Sequence, residues 1–133
     1  VTTPTTKTAP GDLFDPACPT RQVLDRIGGK WESMLIKVLA DAAPGEVRFA
    51  ELRRRVTGIS QKVLSQTLRS LERDGLVRRR VEPTVPPAVH YSLTPLGRSL
   101  DGPLAGVRAW AEMNILAIES ARAAYDEHGQ ADR

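Results

Sequence analysis

Ser60, Gln61, Lys62, Ser65, Gln66 and Arg69 fall at the spacing that gathers side chains on one face of a helix. Leu64, Thr67, Leu68 and Leu71 supply the inward face of the same segment. Amides, hydroxyls and cations displayed together suit the reading of DNA. Glutamine pairs with adenine through two hydrogen bonds, and lysine reaches guanine acceptors or a phosphate. Arg53-Arg54-Arg55 before this segment and Arg78-Arg79-Arg80 after it bring charge that neutralises backbone phosphates. The plainer alternative, an ordinary solvated helix face, is weakened because both triplets flank one helix.

Catalytic chemistry finds little footing. His90 and His128 are the only histidines, and no Cys/His cluster has metal-ligand spacing. Gly28-Gly29 is not followed by a phosphate-binding loop pattern, and none of the sixteen carboxylates lies in a segment that reads as a cleft. The expectation is a protein that is not an enzyme and needs no cofactor or metal. A single cysteine, Cys18, excludes an intramolecular disulfide and a zinc ribbon. It reads either as a small buried residue or as a sensor thiol, activated by a helix N-terminus and by Arg21 and Arg26.

The elements that must position these residues follow from hydrophobic period and punctuation. Residues 1–16, rich in Thr and Pro without an apolar period, are expected to form a flexible arm. Pro19 suits the first position of a helix with Val23, Leu24 and Ile27 on one face, ended by Gly28-Gly29. Trp31, Met34, Leu35, Val38 and Leu39 predict a second helix, and Phe49, Leu52 and Val56 a short third one, separated by a turn at Ala43-Pro44-Gly45. Ser60 caps the fourth helix, which Asp74-Gly75 terminates. Val77, Arg79 and Val81 alternate with Arg78, Arg80 and Glu82, and Val89, Tyr91 and Leu93 with His90 and Ser92, giving the strands of a hairpin. Its proline-rich connection from Pro83 to Ala88 should project as a wing. Thr94-Pro95 opens the last helical region, which Asp101-Gly102-Pro103 is expected to kink or divide.

The fold class is therefore mainly α with a small β-hairpin, a winged helix-turn-helix dimerising through its terminal helices. Residues 17–93 form the DNA-binding domain with its N-terminal dimerisation helix, 94–125 the C-terminal dimerisation helix or helices, and 126–133 a disordered tail. Residues 45–82 hold ten Lys/Arg and five Asp/Glu, so a net charge of +3 overall conceals +5 in this segment. DNA contact is expected from Arg48, Arg53, Arg54, Ser60, Gln61, Lys62, Ser65, Gln66, Arg69, Arg78, Arg80 and His90. Leu104, Val107, Trp110, Met113, Ile115 and Ile118 occupy more than one helix face, which predicts a homodimer interface. Trp31 and Trp110 either belong to the core or line a small-molecule pocket. The N-terminal stretch has no apolar signal core and no segment suits a membrane, so the expected location is the cytoplasm.

Cys18-Pro19, IGGKW (27–31), RFAEL (48–52), GISQKVLSQTLRSLERDGLVRR (58–79) and PPAVHYSLTPLG (86–97), in this order and spacing, resemble the HxlR-type family of bacterial regulators. The resemblance spans about residues 17–110. It implies a dimeric winged-helix protein of MarR-like architecture, without enzyme activity, that binds palindromic operators near its own gene or a divergent neighbour. Repression is the expected sense of regulation. Ser60–Asp74 correspond to the family's recognition helix and Val77–Leu93 to its wing. Family members commonly carry a basic residue in the wing, whereas this loop is Pro83-Thr84-Val85-Pro86-Pro87-Ala88, so phosphate contact falls to Arg78, Arg80 or His90 at the flanks. Several members use an N-terminal cysteine at the place of Cys18 to sense oxidants or electrophiles such as quinones. The rival reading is a winged-helix module whose basic face binds an acidic protein partner; salt-dependent retention on DNA separates the two.

Overall fold

The computed structural model describes residues 12–131; residues 1–11 of the expected arm and 132–133 of the expected tail lie outside it. Residues 12–17 form turns, in which the Cys18 amide donates to the Asp15 carbonyl at 2.9 Å. Helix α1 (Pro19–Ile27) starts on Pro19, with Cys18 as its N-cap, and stops at Gly28. It buries none of its own residues, and Val23 and Leu24 are about half exposed. Helix α2 (Lys30–Ala42) buries Leu35, Ile36 and Leu39, whereas Met34, expected inside, is 44% exposed.

The sequence period missed one element. Strand β1 (Val47–Arg48) is only two residues long, too short to show alternation, and leads directly into helix α3 (Phe49–Arg55). Helix α4 (Gln61–Arg73) follows, then strands β2 (Val77–Glu82) and β3 (Ala88–Leu93). Because β1 pairs antiparallel with β3, with Val47 opposite Tyr91, the expected hairpin is a three-stranded sheet in the order β1-β3-β2. Strand β3 is thus central, and His90, Tyr91, Ser92 and Leu93 are all buried.

Leu35, Ile36, Leu39, Leu52, Val56, Leu64, Leu68 and Leu71 form the centre of the core, joined by Val77, Tyr91 and Leu93 from the sheet. Two glycines hold the helix pair in place by taking positive φ. Gly58 (φ 91°) makes the turn between α3 and α4, and Gly75 (φ 77°) ends α4. The Leu76 amide reaches the Leu71 carbonyl at 3.0 Å and the Gly75 amide the Glu72 carbonyl at 3.0 Å, the paired bonds of a Schellman termination.

Helix α5 (Pro95–Ala131) is a single 37-residue element. Thr94 caps it, accepting from the Gly97 amide at 3.0 Å while donating to the Gly75 carbonyl at 2.6 Å, and so ties its start to the end of α4. At Gly97 the first turn packs against the Leu76 carbonyl, closely enough that a β-carbon would collide with it. The division expected at Gly102-Pro103 does not occur. Both residues are exposed, so water can take the carbonyl that Pro103 leaves without its helical donor. The helix also continues past Tyr125 to Ala131, through most of the segment expected as a disordered tail. At 1.5 Å per residue it is about 55 Å long. Leu100 and Leu104 pack on the core, whereas Val107, Trp110, Met113, Leu116 and Tyr125 are 60–84% exposed.

Candidate nucleic-acid interface

Helix α4 separates its two faces cleanly. Leu64, Thr67, Leu68 and Leu71 are buried, and Gln61, Lys62, Gln66 and Arg69 are exposed with Ser65 half-buried between them. Ser60 caps the helix, its Oγ accepting from the Val63 amide at 3.1 Å, and stays exposed at the start of the same face. Arg53 donates to Gln61 Oε1 at 3.4 Å and links α3 to α4. Arg54 is engaged within α3, with 2.5 and 2.7 Å bonds to the Glu51 carboxylate. Arg48 ends β1, occupies the N-cap position of α3 without a side-chain cap bond, and is exposed.

The sheet corrects one of the expected contacts, His90, and finds a second, Arg80, already partnered. His90 is 9% exposed and its Nε2 lies 2.9 Å from Glu82 Oε2, so it is an interior partner of the wing base and not a surface strand residue. This hydrogen bond holds the Glu82 carboxyl below the ordinary carboxylate value. Arg80 forms a two-pronged pair with Glu46, at 2.7 to 3.0 Å, which lowers the Glu46 pKa and raises that of Arg80. Arg80 can reach a phosphate only by giving up that partner. Arg78 is exposed. The wing tip carries no cation: Thr84 bonds the Pro86 carbonyl, and Val85 is fully exposed.

One basic residue, counted in the sequence only as part of the charge of its triplet, was not among the expected DNA contacts. Alternation along β2 put Arg79 on the inward side with Val77, yet it is exposed, because the core ends before reaching it. It borders the groove between α4 and the sheet. The sequence signal was the triplet itself, since three consecutive arginines in a strand send two to one face and the middle one to the other.

The two tryptophans do not meet in a ligand pocket. Trp31 packs against the core beside the Gly58 turn, and Trp110 is 60% exposed on α5. An apolar groove of about 340 Å³ between α1 and α5 is lined by Val23, Ile27, Leu76, Leu96 and Leu100, without either of them. Among the described residues no group of three His, Cys, Asp or Glu could hold a metal, and no helix is long and apolar enough to cross a membrane.

A two-helix unit followed by a basic hairpin is one way in which proteins enter the major groove, and comparison with known proteins settles the assignment. The HxlR-like helix-turn-helix family model matches residues 26–119. The chain belongs to this family. As an HxlR-family protein it is a helix-turn-helix, DNA-binding transcriptional regulator and not an enzyme. It is 41% identical over 117 residues to the HTH-type transcriptional regulator YtfH of Escherichia coli K12, covering 86% of this chain and 90% of that one. Among solved structures it is similar to the transcriptional regulator ytfH from Salmonella typhimurium, with TM-score 0.77, 40% identity, and coverage of 85% of this chain and 98% of that one. The redox regulator HypR is similar in its reduced form, with TM-score 0.68, 43% identity, and coverage of 77% of this chain and 98% of that one. Its oxidised form gives 0.64 and 44%, over 73% and 97% of the two chains. These neighbours share the winged-helix fold found here.

Proposed function

We propose that this HxlR-family chain represses transcription in the cytoplasm as a homodimer, each subunit laying α4 in the major groove of one half of a palindromic operator. The observation that carries this reading is the row Lys62, Ser65, Gln66 and Arg69 on the face of α4 opposite its buried leucines. Gln66 is assigned to base reading and Lys62 to phosphate, with Gln61, Arg48, Arg53 and Arg78 as supporting contacts. Val107, Trp110, Met113 and Ile115, with Ile118 and the inner residue Leu104, are assigned to the subunit interface.

The two roles on α4 separate by substitution. Binding is measured to a duplex from upstream of the protein's own gene and to a shuffled duplex of the same composition. Lys62→Ala is expected to weaken both equally and to reduce the salt slope by about one. Gln66→Ala is expected to remove about 1–3 kcal/mol of the preference between them. Equal effects of both substitutions on both duplexes would contradict the base-reading assignment.

A second reading adds a signal to this switch. HypR is named a redox regulator, and Cys18 stands at the N-cap of α1, at the junction between the N-terminal turns and the first helix. We assign Cys18 the role of sensor for an oxidant or electrophile.

A further inference from the structure

A groove of about 400 Å³ separates α4 from the wing, with Phe49 and Tyr91 in its floor, Ser65, Arg69 and Glu72 along the helix side and Arg79 on the strand side. We propose that this groove seats a DNA backbone phosphate, held between the guanidinium groups of Arg69 and Arg79 with the Ser65 hydroxyl as a further donor. The inference rests on the DNA-reading function proposed above. When a helix fills the major groove and the adjoining hairpin lies toward the neighbouring minor groove, the phosphodiester strand dividing the two grooves passes between helix and hairpin.

The charges are arranged for that passage. Among the described residues the guanidinium groups of Arg69 and Arg79 make no hydrogen bond or ion pair, whereas that of Arg80, next in sequence, is held by Glu46 on the other side of the sheet. Arg79 lies opposite Tyr91 in the strand register, above the aromatic floor. Two uncommitted cations facing one cleft bind an anion without first losing a partner. Glu72, one turn beyond Arg69, repels an anion and so confines it to the Ser65 end.

The test measures duplex affinity against salt for the full chain, using a random-sequence duplex. Arg79→Gln is expected to reduce the salt slope by about one. Its deficit against wild type then narrows about fourfold between about 50 and about 200 mM salt. Arg79→Lys should restore the slope, Arg80→Gln should leave it unchanged, and Glu72→Gln should tighten binding. A wild-type slope in Arg79→Gln, or the loss appearing in Arg80→Gln instead, would overturn the assignment. Inorganic phosphate, titrated at constant ionic strength and followed by thermal melting, distinguishes a free anion as the occupant. Stabilisation of wild type but not of Arg79→Gln, with the duplex slope unaltered, would overturn the DNA phosphate in favour of a small anion. Wild type that binds no duplex at all would overturn the DNA reading itself, whereas a wild type that binds and is indifferent to Arg79 overturns only this inference.

Discussion

Val107→Glu combined with Trp110→Glu is expected to produce a folded monomer that binds its operator about a hundredfold more weakly than wild type. These side chains are 65% and 60% exposed in the single chain, so charging them should cost its own core little. In the proposed dimer they lie within the surface that α5 presents to its partner, and burying unpaired carboxylates there is prohibitive. The apolar stripe that begins at Leu100 and Leu104 continues outward through Val107 and Tyr125 with its own body no longer covering it. In the proposed dimer a second copy of the chain, related by two-fold symmetry, covers it with the same stripe. The loss in affinity follows because linked half-site contacts reinforce each other only while the subunits are joined. Sedimentation measures the mass and circular dichroism the retained helix; a wild-type melting temperature that rises with protein concentration is a second expected sign. A wild type that sediments as a monomer at micromolar concentration, or a doubly substituted chain that remains dimeric, would contradict this arrangement.

Diamide or a quinone is expected to abolish operator binding by the native protein and to leave Cys18→Ser bound. Cys18 is fully buried, so the reagent reaches it only when α1 opens. That opening should be cheap, because α1 has no fully buried residue of its own and its exposed Val23 and Leu24 contribute little to the core. Once the thiol is alkylated, oxidised to sulfenic acid or joined to its counterpart in the other subunit, α1 cannot return to its place. The displacement bears on DNA binding through Arg26, whose guanidinium pairs with Asp74 at 2.8 Å at the end of α4. An altered α1 therefore disturbs both the dimer surface and the seat of the proposed recognition helix. The measurement is operator binding before and after treatment for the two proteins. A matched response of both, or no response from either, would make Cys18 a structural residue.

Where the chain's own period and punctuation determine an element, the sequence was sufficient. Helix α4 is framed by Ser60 and Gly75, and its leucines are spaced for one buried face, so its outward residues could be named before any coordinates. The missed strand, the burial of His90 and the pairing of Arg80 share one physical origin, contacts between segments distant in the chain. A two-residue strand has no alternation to detect, and without β1 the central position of β3 and the burial of His90 could not be read. Arg80 looked available because Glu46, its partner, lies 34 residues away. Arg79 looked inward because alternation reveals which side of a strand a residue faces but not where the core stops. Gly102 and Pro103 of α5 suggested a break, yet exposure lets a helix tolerate Pro103.

Selection of bound sequences from a random DNA pool tests the central claim most directly. A two-fold dimer with one α4 per half-site predicts enrichment of an inverted repeat whose half-site centres lie about 10 base pairs, or a multiple of that, apart. Recovery of unenriched sequences with salt-sensitive retention alone, or of a single unrepeated half-site, would contradict it.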